Sequence, residues 1–315
     1  MTSMSSQSSF RLLSIGFFAG VLCTFLISCA FSGAGHLNNG RASAHWGALI
    51  RRQTQDSGIL KFGNPGPVAD LLERQKYVTS YDRRNRIPHW VGEHLTKESL
   101  QAGENVDRSK SNFQEDKDVP AIFRALLRDY TRSGYDRGHM APAADAVSTQ
   151  EAMDETFLLT NMSPQVGIGF NRHYWAYLET FVRDLTNNHT DVYVYTGPLF
   201  LPRSNTTGYV NIDEEKATSD ANPGYYMQYP LLGTIPNIAV PTHFYKIVLV
   251  SSGSANNDYL LGVFVLPNQS IDRKTPLTDF QVQLKSVERV SGLQFFSELD
   301  RNSFGDLCSV DRCQL

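Results

Sequence analysis

The segment Tyr135-Asp136-Arg137-Gly138-His139-Met140-Ala141-Pro142 constrains this chain more than any other. It reads as a short extended stretch broken by Gly138. Residues i and i+2 of a strand share a face. Arg137 and His139 therefore point the same way, one a permanent cation and the other a base that works near neutral pH. Such a pair suits phosphodiester cleavage: the cation steadies phosphate charge while the imidazole takes a proton from water.

The charge of the chain sets a condition on that chemistry. The 315 residues carry a net charge of −3, but residues 1–55 hold Arg11, Arg41, Arg51, Arg52 and no acid. The remainder has 25 Lys and Arg against 32 Asp and Glu, a net of −7. An acidic body is not the usual footprint of a nucleic-acid binder. A polynucleotide would need a local basic patch, for which Arg83, Arg84, Arg86, Arg137, Arg172 and Arg183 are candidates; read singly, each is equally an ordinary solvated arginine. Hydrophobic content of 41% supports a sizeable core and excludes global disorder. Four cysteines form no zinc pattern; Cys308 and Cys313 suit a disulfide or free thiols equally.

Strands are expected at Thr156–Thr160, Val192–Thr196, Phe244–Val250 and Tyr259–Leu266, runs rich in β-branched and aromatic residues. A helix is expected from Asn171, because Trp175, Leu178, Val182 and Leu185 form an apolar stripe at helical spacing. Further helices are expected at Ala121–Asp129 and Thr149–Asp154. Strands and helices mix without regular alternation, which indicates an α+β fold. Residues 32–60, rich in Gly, Ser, Ala, Asn and Arg, read as a linker, leaving 61–315 as one catalytic domain.

The Asp-Arg-Gly-His stretch resembles the signature of the DNA/RNA non-specific endonucleases, the ββα-metal (His-Me finger) nucleases. The likeness continues through Leu158-Leu159-Thr160-Asn161-Met162-Ser163-Pro164-Gln165, Gly169-Phe170-Asn171-Arg172-His173-Tyr174-Trp175, Tyr195-Thr196-Gly197-Pro198, Pro241-Thr242-His243-Phe244-Tyr245-Lys246 and Ser291-Gly292-Leu293. In order and spacing these resemble the mitochondrial endonuclease G branch, and the tail from Cys308 resembles its fungal members. The resemblance implies a central mixed or antiparallel sheet flanked by helices, with Asp136–His139 a strand edge beside the helix opened by Asn171.

The resemblance also implies roles. His139 is the general base, and Arg137 binds the scissile phosphate or its transition state. Asn171 is the metal ligand; a neutral amide oxygen suits Mg²⁺, which keeps most of its waters. Against that stands the ordinary use of Asn before a helix, as an N-cap. Glu179, eight residues on, projects about 80° round the helix and would hold the cation's water shell. Arg183, a turn further, would meet phosphate or simply pair with Glu179. Asn161 matches a family Asn that helps build the site, or is a polar residue at a strand end. Trp175 reads as core, and Asp136 and Asp145 receive no metal role. An upstream arginine of distant members has no secure counterpart near Tyr81-Asp82-Arg83-Arg84.

The expected activity is a Mg²⁺-dependent, sugar-non-specific endonuclease that leaves 5′-phosphates, with Mn²⁺ as a substitute cation and a homodimer as the assembly. A nuclease-like binding protein and an enzyme for another phosphodiester are the other classes. Residues 12–31 are mostly apolar and about long enough to span a bilayer. Residues 1–31 therefore read as a mitochondrial targeting and membrane segment, placing the protein at the inner membrane or intermembrane space; secretory or lipoprotein-like export is the rival.

Overall fold

A computed structural model describes residues 58–63, 70–204, 208–213, 224–251 and 259–315. The expectations for residues 1–31, and for most of 32–60, lie outside the described residues. Ile59 and Phe62 are already buried, so the folded part begins inside the stretch read as linker.

Seven strands form the central sheet: β1 (Asp70–Glu73), β2 (Tyr77–Asp82), β3 (Ile87–Leu95), β6 (Val192–Leu199), β7 (His243–Ser251), β8 (Tyr259–Pro267) and β9 (Gly305–Asp306), in that spatial order. All neighbours are antiparallel except β8 and β9. Two further strands, β4 (Asp136–His139) and β5 (Met162–Gln165), pair with each other as a separate ribbon. The main helices are α1 (Gln150–Thr156), α2 (Trp175–Asp184) and α3 (Leu284–Ser291).

Alternation along the strands divides the core in two. Val91, Val194, Phe244 and Val248 face Trp175, Leu178 and Val182 of α2. Trp90, Tyr195, Tyr245, Ile247 and Leu249 face the opposite way, toward Val287 of α3, Phe295 and Phe296. Both sheet faces are covered, which is why β6 is buried along its whole length.

Three sequence expectations hold with slightly wider bounds: Val192–Thr196, Phe244–Val250 and Tyr259–Leu266 are β6, β7 and β8. Thr156–Thr160 is not a strand. Thr156 ends α1 and its hydroxyl donates to Met153 O at 2.6 Å; Leu159–Asn161 is a tight turn, and the strand begins at Met162. Local hydroxyl bonding outweighs the β-branched composition. Ala121–Asp129 is not one helix either. A turn at Ala121–Phe123 and another at Leu127–Tyr130 flank an extended Arg124. Tyr81 intervenes: its hydroxyl donates to Phe123 O at 2.9 Å and accepts from Ala125 N at 3.1 Å, taking backbone groups that a continuous helix would pair.

Cys308 and Cys313 form a disulfide. Inside its loop, Asp311 bonds His189 Nε2 at 2.8 Å, fastening the C-terminus to the segment just after α2. No helix of the described residues is long and apolar enough to cross a membrane.

Candidate active site

The ribbon sets the catalytic motif. Its register places Arg137 opposite Pro164, Gly138 opposite Ser163 and His139 opposite Met162. Gly138 is required by space: a Cβ there would lie 2.0 Å from Gln165 Oε1. With the glycine in place, Gln165 fills the inner side and Arg137 and His139 both line a cleft of about 470 Å³. Asn161 lies just before β5, fully buried. Its Oδ1 accepts from Ala141 N at 2.9 Å, and its Nδ2 donates to Ala141 O at 2.9 Å and Thr156 O at 2.8 Å. It braces the turn that follows His139 and does not line the cleft.

His139 sits in an aromatic box, 4.9 Å from the Phe157 ring and 5.7 Å from Phe113. Its Nε2 is buried and has no hydrogen-bond partner among the described residues. Burial, with the nearby Arg108 charge, pushes its pKa down to about 3, so the imidazole is a neutral base throughout the physiological range. Arg137 stacks its guanidinium 5.1 Å from Phe113 and 5.7 Å from Tyr130 and donates to Leu127 O at 3.2 Å.

Between β5 and α2 the chain makes a wide turn over Gly167–Tyr174, with Asn171 N bonded to Val166 O and Trp175 N to Phe170 O. Gly169 has φ of +84°, and a Cβ there would meet Ser270 Oγ at 1.9 Å. Such widened turns cluster at functional sites. Asn171 does not use its side chain as a cap. Its Nδ2 donates to Asp136 Oδ2 at 2.9 Å. A carboxylate only accepts, so the amide nitrogen must face Asp136 and the oxygen is left for the cleft. Arg172 grips both oxygens of Asp136, at 2.5 and 2.7 Å, and holds that carboxyl below the usual carboxylate range.

Glu179 joins Asn171 on the cleft wall. Burial pushes its pKa up to about 7, Lys246 and Arg183 pulling it back and Asp145 adding to the rise. The residues fit a hard cation held by one amide oxygen and waters. No group of three His, Cys, Asp or Glu able to hold a metal occurs among the described residues.

The structure brings Arg137, His139, Asn171 and Glu179 to one cleft, together with Arg172, and sets Arg83, Arg84, Arg86 and Arg183 apart. Arg183 bonds Asp145 Oδ1 at 2.8 Å rather than Glu179 and does not line the cleft. Arg83 pairs with Asp70, and Arg86 donates to Arg124 O and Ile122 O. Arg84 lines a separate hollow beside Tyr229. Two residues escaped the sequence reading. Arg108, exposed and stacked 5.3 Å over Phe157, is a further cation on the cleft wall. Asp136 orients the Asn171 amide. Nothing local marks Arg108, whereas an acid at the head of the signature was a usable signal for Asp136.

The family model of the DNA/RNA non-specific endonucleases matches residues 55–302. A nuclease of Syncephalastrum racemosum is 62% identical over 271 residues, covering 84% of this chain and 81% of its own. The mitochondrial nuclease of Saccharomyces cerevisiae is 45% identical over 262 residues, covering 82% and 75%. A solved EndoG/EndoGI complex superposes with a TM-score of 0.70 at 45% identity, covering 79% of this chain and 94% of that one. A ribbon and helix set against a mixed sheet define a ββα-metal nuclease. The chain belongs to the DNA/RNA non-specific endonuclease family, in its mitochondrial branch, and is a hydrolytic endonuclease acting on nucleic acids.

Proposed function

We propose that this endonuclease cuts DNA and RNA alike, with His139 as general base, Asn171 as the protein ligand of a single Mg²⁺, and 5′-phosphate products. One observation carries the reading: His139 and the cleft-facing amide of Asn171 share one cleft with Glu179 and the three cations Arg108, Arg137 and Arg172. A bound Mg²⁺, or Mn²⁺ in its place, supplies Lewis acidity at the phosphate and at the leaving 3′ oxygen. His139 takes the proton of the attacking water, its aromatic box keeping it unprotonated beforehand. Arg137 and Arg108 hold the phosphate, and neither reads a base, which favours little sequence preference. Glu179 orders the cation's waters, Arg183 supports Glu179, and Asn161 holds the turn behind His139.

The names of relatives in yeasts and animals support a mitochondrial location. Residues 12–31 are the proposed tether to the inner membrane, facing the intermembrane space, and the family resemblance supports a homodimer. The test is incubation of the purified protein with supercoiled plasmid and with RNA, with Mg²⁺ or EDTA, beside His139→Ala. Metal-dependent loss of both substrates, absent in the variant, is the expected result. Cutting of one substrate only, or equal cutting by the variant, would refute the reading.

A further inference from the structure

Behind the cleft, the sheet face that packs on α2 carries three polar residues among apolar neighbours. The register sets Glu93 opposite Val194, and Thr196 between Val91 and Lys246. Glu93, Thr196 and Lys246 are 3%, 0% and 1% exposed. Lys246 Nζ donates to Thr196 Oγ1 at 2.7 Å and lies 4.9 Å over the ring of Trp175. Glu179 stands one helical turn beyond Trp175, on the same side of α2.

Burying an ammonium costs several kcal/mol, and an apolar side chain would fill the space without that cost. The compensation here is a closed set of charges. Glu93 from β3, Asp145 from the turn after β4 and Glu179 from α2 carry charges that act on one another and on Lys246 and Arg183, with Arg108 across the cleft. Three carboxyls face the buried Lys246 and the half-buried Arg183. Burial pushes Glu93 and Asp145 upward, and the Asp145 charge adds to the rise of Glu93, so a single proton retained by the pair balances the set. Of the five groups, only Glu179 lines the cleft.

We propose that Lys246 is a positioning residue of the nuclease site: with Arg183 it favours the ionised form of the half-buried Glu179 on the cleft wall, while Glu93 and Asp145 retain a proton and absorb the excess negative charge. The proposal rests on the reading of Glu179 given above. It assigns a task to a lysine and a glutamate that touch neither substrate nor cation.

The test is the titration of the Glu179 carboxyl, followed by carbon NMR in EDTA-treated full-length protein with labelled glutamate; the signal is assigned by its loss in Glu179→Gln. Lys246→Met raises the midpoint by about one to two pH units, and Glu93→Gln lowers it, because one variant removes a cation and the other an acid. The acid limb of the cleavage profile moves with it: Lys246→Met loses about 10- to 100-fold at pH 7 and regains activity toward pH 9. Combining both changes returns the midpoint toward the wild type. Midpoints that stay fixed or move in the same direction, or a loss of activity uniform across pH, overturn the proposal. If Lys246→Met does not fold, the direction of the Glu93→Gln shift decides. A wild type that cuts nothing sinks the nuclease reading, yet leaves the carboxyl titration to judge Lys246.

Discussion

Asp136 Oδ2 accepts a 2.9 Å hydrogen bond from Asn171 Nδ2, and that contact decides which end of the amide meets the cleft. The signature strand thereby orients the proposed ligand on a different element 35 residues away. Arg172, next to Asn171 in the chain, clamps the same carboxylate with two bonds, so all three groups move as a unit.

Replacing that acceptor tests its role. In Asp136→Asn the partner is itself an amide, which can donate or accept, and the Asn171 oxygen is free to turn away. The Mg²⁺ concentration giving half-maximal cleavage should rise about 10- to 100-fold, with the rate at saturating Mg²⁺ changed much less. A Mg²⁺ titration of plasmid cleavage measures both. An unchanged half-point would mean that something other than Asp136 orients the amide.

Gly138 and Gln165 make a second dependent pair. Both amide atoms of Gln165 are buried without partners, so shape alone holds that side chain against the glycine. Gly138→Ala should cost about 1–3 kcal/mol in urea unfolding and disturb the neighbouring His139. Shortening the obstacle, in Gly138→Ala with Gln165→Ala, should restore most of the lost stability. Strictly additive losses would show that the two residues do not compete for one space.

Arg108 is an exposed cation of the cleft that pairs with no carboxylate among the described residues, unlike Arg172 on Asp136, and its removal should weaken substrate binding without touching the fold. In an inactive His139→Ala background, Arg108→Ala should lower the slope of log affinity against log salt by about one for duplex DNA. Binding measured between 50 and 200 mM salt, taken as roughly the useful range, decides this. An identical slope would remove Arg108 from the phosphate contacts.

The motif residues were legible because their spacing carries geometry: the i, i+2 pair Arg137 and His139 needs only a strand to converge. The long strands were legible too, since β-branched and aromatic residues recur along the nine residues of each of β7 and β8. Residues 121–129 misled because the cause lies elsewhere; Tyr81, more than 40 residues earlier, captures their backbone groups. Arg183 misled for a similar reason. Helical spacing offered it Glu179, but Asp145, brought in from the turn after β4, takes its guanidinium. Glu93 and Lys246 were invisible as a set, since β6 must lie between their strands before they meet. Local pattern carries elements and motifs; the partners of buried charges depend on topology.

The pH dependence of stability isolates His139. Its folded pKa is pushed down to about 3, against about 6.5 in an unfolded chain. Above pH 6.5 neither state holds the proton, and the residue contributes no slope. As the pH falls below 6.5 the unfolded chain takes up a proton that the native imidazole refuses, so stability is lost progressively down to about pH 3. Between pH 7.5 and 4.5, wild type should therefore lose about 1–2 kcal/mol more than His139→Gln, a figure reduced because the imidazole is only half-buried. Urea midpoints at the two pH values provide the comparison. The same displacement assigns the cleavage profile: a base already neutral at pH 5 cannot produce an acid limb near pH 7. An acid limb near pH 7 is instead expected from Glu179, whose carboxyl is pushed up to about 7 by burial. Equal stability slopes in the two proteins would mean that the imidazole titrates normally, and the acid limb would then return to His139.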